Sequence, residues 1–159
     1  MNQTIAVAPV RKTIRVAAPS DRAFAIFTAG MAGWWPKSHS INASPIRDIV
    51  VEPRAGGRWF ERGEDGSECE WGKVIAWEPP RRLVLAWQLS PDWRFDPGLL
   101  TEVEVRFIAD GDGTRIELEH RLDGYGDQAG QMFAVYDRKD AWQGMLERLA
   151  ATVGLSPAA

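Results

Sequence analysis

Side chains two residues apart share a face of a strand, and those three or four apart share a face of a helix, so the spacing of apolar positions predicts the elements. Residues 101–108 alternate most cleanly, with Val103, Val105 and Phe107 on one face and Glu102, Glu104 and Arg106 on the other. After the turn chemistry of residues 109–114, residues 115–121 alternate again, Ile116, Leu118 and His120 inward and four charged residues outward, which predicts a hairpin. Residues 70–87 predict another, turning at Pro79 and Pro80, which lack the N–H a sheet ladder needs. Pairing Trp77 with Leu83 across that turn places Trp71, Ile75, Trp77, Leu83, Leu85 and Trp87 on one large inner face, and Gly72, Val74 and Ala76 on the other.

The remaining chain falls into order around these hairpins. Residues 10–16 alternate as a first strand, with Lys12 a polar intrusion on the face of Val10, Ile14 and Val16. Pro19, Ser20 and Asp21 open a helix that Ser20 or Asp21 is expected to cap, with Ala23, Phe24, Ile26 and Phe27 inward and an end near Gly30. Gly33 and Pro36 bracket Trp34 and Trp35 in a second short helix; adjacent residues point about 100° apart, so one ring is expected deep and the other nearer the surface. Residues 46–52 and 58–62 read as strands, and Asp65-Gly66 as a hairpin turn. Residues 90–98 are loop chemistry carrying Trp93 and Phe95. From about residue 128 to 153, Met132, Val135, Tyr136, Trp142, Leu146, Leu149 and Val153 mark one long helix, with Lys139 in or beside its stripe. Strand, helix pair, six strands and long helix give an α+β fold, an antiparallel sheet of seven strands curled round its last helix. Residues 1–9 are expected to form a loose leader, 10–153 the single domain, and 154–159 a tail.

Charge narrows the function classes. The 159 residues carry 19 basic and 22 acidic side chains in mixed order, a net charge of −3 with no basic block, so nucleic acid is not an expected partner. Cys69 is the only cysteine, which excludes an intramolecular disulfide or a thiolate metal cluster and suits a reducing cytoplasm. Its acidic neighbours Glu68 and Glu70 disfavour a reactive thiolate. The apolar run at residues 5–10 is short, interrupted by Pro9 and preceded by no basic residue, so neither a signal peptide nor a membrane span is expected.

Candidate chemistry is sparse. His120 shares the inward parity of Ile116 and Leu118 and is read either as a general base in a cavity or as a buried histidine bonded to a backbone carbonyl. His39 follows a loop and is expected exposed. Glu61, Glu68 and Glu70 cluster round one hairpin, as an acid–base pair or, more simply, as solvated edge charges. There is no metal-ligand spacing, nucleophile elbow, phosphate loop or cofactor motif, so no metal or cofactor is expected.

The Gly33-Trp34-Trp35-Pro36 stretch, Gly56-Gly57-Arg58 with Glu61, Asp65-Gly66, Trp71-Gly72, Trp77-Glu78-Pro79-Pro80, residues 101–107, Gly113-Thr114, Leu118-Glu119-His120 and Trp142 with Leu146 and Leu149 together resemble the SRPBCC (START/Bet v 1-like) superfamily, in the branch named after the activator of heat-shock-protein-90 ATPase. The resemblance runs over roughly residues 13–150 and implies a helix-grip fold, with the sheet wrapped round the last helix over a cavity. The superfamily includes lipid and hormone carriers, polyketide cyclases, self-sacrificing resistance proteins and a co-chaperone domain, so the fold alone assigns no chemistry. The inner sheet face and helix stripe make Trp35, Trp59, Trp71, Lys73, Ile75, Trp77, Leu85, Trp87, Val105, Phe107, Leu118, His120, Tyr136 and Trp142 the expected ligand-binding wall. Arg58 is a further polar candidate; whether the tryptophans line a cavity or fill it stays open. Three functions follow: a binder of a small apolar or aromatic ligand, a cyclase- or hydrolase-like enzyme using His120, and a co-chaperone-like protein. A homodimer through Trp93, Phe95 and one of Trp34 and Trp35 is also expected as an option.

Overall fold

Seven strands pair antiparallel in one sheet with the order β1-β7-β6-β5-β4-β3-β2. They are β1 (Val10–Val16), β2 (Ile46–Val51), β3 (Arg58–Gly63), β4 (Glu68–Glu78), β5 (Arg82–Trp87), β6 (Thr101–Asp110) and β7 (Gly113–Arg121). The computed structural model describes residues 7–155, and side chains to residue 153, so the expected leader and tail lie largely outside the described residues. Strands β2 to β7 join in succession by hairpins or loops, and β1 closes the order by pairing with β7 from Val10 opposite His120 to Val16 opposite Thr114. Helix α1 (Ser20–Thr28) and single 3-10 turns at Met31–Gly33 and Lys37–His39 follow β1. The C-terminal segment closes the fold against the concave face of this curled half-barrel, as the helix-grip reading expects. No helix among the described residues is long and apolar enough to cross a membrane.

Four local expectations are corrected. Helix α1 has no side-chain cap: Pro19 holds the cap position, Ser20 Oγ pairs with Thr114, and Asp21 accepts from the Arg22 amide. Trp34 and Trp35 are both buried, because the chain leaves the Met31–Gly33 turn in a non-helical conformation at Trp34, and the patch with Trp93 and Phe95 loses its third ring. In β4 the pairing of Trp77 with Leu83 is observed, but Val74 faces Leu85 and Ala76 faces Val84, leaving Ile75 as a bulge. That inserted residue exchanges the faces upstream of it, so Val74 is buried and Ile75 is 36% exposed. A second bulge, with Trp59 opposite Gly72 and Phe60 opposite Glu70, returns Trp71 to the inside. Gly72 is required here, since a Cβ would lie 1.7 Å from the Ala86 carbonyl oxygen.

The fourth correction concerns the last helix, which is broken. Helix α2 (Ala129–Tyr136) ends at Asp137, Arg138 is extended, a π turn spans Lys139–Gln143, and α3 (Gly144–Leu155) follows. Tyr136 and Trp142 are six positions apart, about 120° from each other round an ideal helix, so a continuous helix would hold them at opposite flanks of its stripe. The residues that would continue the stripe, Lys139, Asp140 and Gln143, are polar. Breaking the helix seats both rings, and side chains from β1 and from the Lys37–His39 turn take up released carbonyls: Lys12 Nζ bonds Asp137 Oδ1 at 2.8 Å and its carbonyl at 3.5 Å, and His39 Nε2 donates to the Asp140 carbonyl at 3.0 Å.

Across the outer face, Glu104 is 5% exposed and is met by Arg82, Arg106 and Arg121. Burial alone pushes its carboxyl up, but the hydrogen bonds from Arg82 and Arg121 outweigh that and hold it below the ordinary value.

Candidate functional site

Trp35 is the centre of the interior. Its ring lies 4.7 Å from that of Trp71, 5.9 Å from Trp142, 6.2 Å from Trp87 and 6.4 Å from Trp59. The 3-10 turn of Met31–Gly33 delivers it, β4 and β5 supply Trp71 and Trp87, and the turn after the helix break supplies Trp142. These rings do not fill the interior. Beside them is a cavity of about 290 Å³ lined by Trp35, Trp71, Trp87, Tyr136 and Trp142, by Leu89, Val135, Ala141 and Met145, and by residues 38–41. Its exposed liners Ser38, Trp93, Arg138 and Asp140 mark the solvent side, so the break between α2 and α3 forms one rim of the mouth. Trp93, 44% exposed and left-handed at φ 63°, rests edge-on against Tyr136 at 5.9 Å between ring centres.

The polar atoms of the buried wall are committed to the protein. Trp35 Nε1 donates to the His39 carbonyl at 3.4 Å, Trp71 Nε1 to Glu61 Oε1 at 3.0 Å, and Trp142 Nε1 to His120 Nδ1 at 3.1 Å. Trp87 Nε1 donates to the Tyr136 hydroxyl at 2.9 Å. Tyr125 donates to the Leu89 carbonyl at 2.7 Å, so the 2.7 Å contact between the two tyrosines runs from Tyr136 to Tyr125, and one proton chain links Trp87, Tyr136, Tyr125 and Leu89. Burial pushes Tyr125 up to about 12 and raises Tyr136 as well, so both remain neutral phenols.

His120 sits one layer behind. It is fully buried and takes the Trp142 N–H at Nδ1, which fixes the proton on Nε2 and makes that nitrogen the donor to Thr101 Oγ1 at 3.0 Å; Thr101 in turn donates to the Trp87 carbonyl. Burial, with Arg121 adding to it, lowers the imidazole to about 3. With both nitrogens engaged and no face on the cavity, it offers no general base to a ligand, and its partners are a hydroxyl and an indole rather than a backbone carbonyl.

Glu61 departs furthest from expectation. It is fully buried rather than a solvated edge charge, accepting from Ser40 Oγ at 2.5 Å, the Ile41 amide at 2.7 Å and Trp71. Its expected companions Glu68 and Glu70 stay on the surface and pair with Arg58, and Glu68 also with Arg62.

The chain that builds this curled sheet, broken C-terminal helix and aromatic cavity matches a known family over most of its length. The family described as "Activator of Hsp90 ATPase homolog 1-like protein" matches residues 17–154. The chain belongs to this family. Among solved structures, the anthrahydroquino-gamma-pyrone synthase Txn09 is similar to it at 35% identity, covering 92% of this chain and 97% of that one with a TM-score of 0.64. The self-sacrificing resistance protein CalC from Micromonospora echinospora is similar at 29% identity, covering 92% and 94%, with a TM-score of 0.70. A protein from Rhodobacter sphaeroides at 22% identity, covering 92% and 94% with a TM-score of 0.64, shares the fold. Among curated proteins there is no match.

In this family member, then, five of the residues expected to bind ligand face the cavity: Trp35, Trp71, Trp87, Tyr136 and Trp142. Trp59, Leu85, Val105, Phe107, Leu118 and His120 are buried around it without lining it. Trp77 is half-buried and packs on Phe24, 5.0 Å between ring centres. Lys73 and Ile75 point to solvent, and Arg58 lies outside the sheet over Phe60, so these three leave the site. Sequence reasoning missed residues 38–41, Leu89, Val135, Arg138, Asp140, Ala141 and Met145 as liners. His39 is half-buried, its Nδ1 accepting from Ser38 Oγ at 3.0 Å. The loss of helical register at Lys139 and Asp140 was the one signal that could have found the mouth.

Proposed function

We propose that this chain binds a small, predominantly apolar or aromatic ligand in the cavity between sheet and C-terminal segment. The observation that carries the reading is the state of the wall: the N–H groups of Trp35, Trp71, Trp87 and Trp142 and the hydroxyl of Tyr136 all have partners inside the protein. A ligand acceptor would find no free donor among these groups and would pay for its lost water. Polar substituents belong instead at the mouth, beside Ser38, Arg138 and Asp140. The cavity's size is at the lower end for small-molecule sites, roughly 300–1,000 Å³. The likeness to proteins named as a synthase of an aromatic product and as a resistance protein supports ligand binding in this fold.

Calorimetric titration with quinoline at pH 8, where the probe is neutral, should give saturable one-to-one binding. Val135→Phe, which puts a larger side chain into the lining, should weaken it at least about tenfold, the scale expected when an overpacked site loses more than 1 kcal/mol. Binding that Val135→Phe leaves unchanged would place the probe elsewhere and defeat the reading.

A further inference from the structure

Glu61 is a fully buried acid with three hydrogen-bond donors and no ion-pair partner among the described residues. Ser40, Ile41 and Trp71 aim their donors at its two oxygens, the arrangement an ionised carboxylate takes, yet none of the ion pairs of the described residues includes it. The arginines beside it on β3 turn outward, Arg58 to Glu68 and Glu70, Arg62 to Asp48 and Glu68. Arg121, behind His120, is taken up by Glu102, Glu104 and Glu119. Burial first, then the nearby Glu61 and Asp65, push the Cys69 thiol up. All three residues that hold Glu61 also line the cavity, so the uncompensated charge lies directly behind its wall.

The cavity side of that wall is aromatic. Trp71 bonds the carboxylate through its N–H, its ring lies 4.7 Å from that of Trp35, and Trp35 in turn meets the rings of Trp87 and Trp142. Because these N–H edges are occupied, the rings offer the cavity carbon framework and π surface, which attract a cation whose charge is spread over alkyl or aromatic carbon. A primary ammonium is a poor fit for the deep wall, since its three N–H donors need three acceptors and the carboxylate among the lining residues, Asp140, stands at the mouth. At the mouth, Arg138 and Asp140 face each other at 3.7 Å and contribute no net charge.

We propose that the cavity is selective for organic cations without N–H donors, such as a quaternary ammonium or an N-alkylated heteroaromatic ring, with Glu61 as the charge that sets the preference. The inference rests on the cavity reading above and narrows its ligand class. It is tested by calorimetric comparison of N-methylquinolinium with quinoline at pH 8, two bicyclic probes that differ by one methyl group and one charge. The expected result is about tenfold tighter binding of the cation, as for a desolvated cation over aromatic rings. In Glu61→Gln the ratio of the two affinities should fall to near one. The wild-type comparison needs no variant to fold: equal binding of the two probes, or tighter binding of quinoline, overturns the proposal while leaving the cavity reading intact. A preference that survives in Glu61→Gln overturns the role of Glu61 and with it the proposal. Failure of both probes to bind would remove the cavity reading itself.

Discussion

Replacing Trp35 with alanine should lower the melting temperature by about 10 °C, the largest single-residue effect expected in this protein. Trp35 is 3% exposed and meets the rings of Trp34, Trp59, Trp71, Trp87 and Trp142. Truncating such a tryptophan costs about 3–5 kcal/mol in lost transfer and cavity energy, and in a chain of this length each kcal/mol is worth roughly 2–4 °C. Because Trp35 borders an existing cavity, its loss enlarges a void that neighbouring rings, pinned by their own N–H bonds, cannot collapse into. Trp93→Ala is the matched control: that ring is 44% exposed and should cost no more than about 1–2 °C. Thermal unfolding followed by circular dichroism measures both, and similar small shifts for the two variants would show that Trp35 is not the hub of the core.

The second large effect is on acid stability. Folded His120 is held neutral down to about 3, against an ordinary value of 6.5. Between those values the unfolded chain takes up a proton that the folded chain refuses, so stability rises with pH through the window. The contribution of this group is fully present above about pH 6.5 and is lost progressively as pH falls towards 3. One proton over the interval from pH 6.5 to 5 amounts to about 2 kcal/mol. Denaturant unfolding at those two pH values should show that loss in the wild type and little of it in His120→Gln, whose amide offers both a donor and an acceptor but no titration. Glu104 enters only lower: its folded value is depressed, so its stabilisation is present above the ordinary carboxyl range and is lost as pH falls through the depressed value. An unchanged slope in His120→Gln would mean that another group governs the acid limb.

Much of this architecture was legible because alternation and charge agreed. In β6 and β7 the outward residues are charged and the inward ones apolar, so Val103, Val105, Ile116, Leu118 and His120 are all buried as expected. The β4 bulge was not legible, since Val74 and Ile75 are both β-branched and apolar and either satisfies the pattern. Helical spacing does not signal the burial of both Trp34 and Trp35, because the chain turns out of helix at Trp34. Glu61 misled for the opposite reason. Its clustering with Glu68 and Glu70 round one hairpin suggested a solvated edge, and only the path of residues 40 and 41 across its carboxylate makes burial possible. The cavity was half legible: the tryptophans pointed to a wall, but the mouth is built by a helix break and by residues 38–41, which carry no periodic signal. What the sequence could not decide, whether the rings fill the interior or border a space, turns on main-chain detail at Arg138 and Ala141 that removes one continuous helix from over the sheet.

The central claim is that a ligand sits among a particular set of indoles. Each of the eight tryptophans gives one indole N–H resonance, and five of them, Trp35, Trp71, Trp87, Trp93 and Trp142, border the cavity while Trp34, Trp59 and Trp77 do not. Two-dimensional proton–nitrogen NMR during titration with quinoline, the neutral probe, is therefore the most direct measurement. The predicted result is saturable shifts concentrated in the five cavity tryptophans, with the other three nearly still. Shifts led by Trp77 or Trp34, or no saturable shift at all, would contradict it.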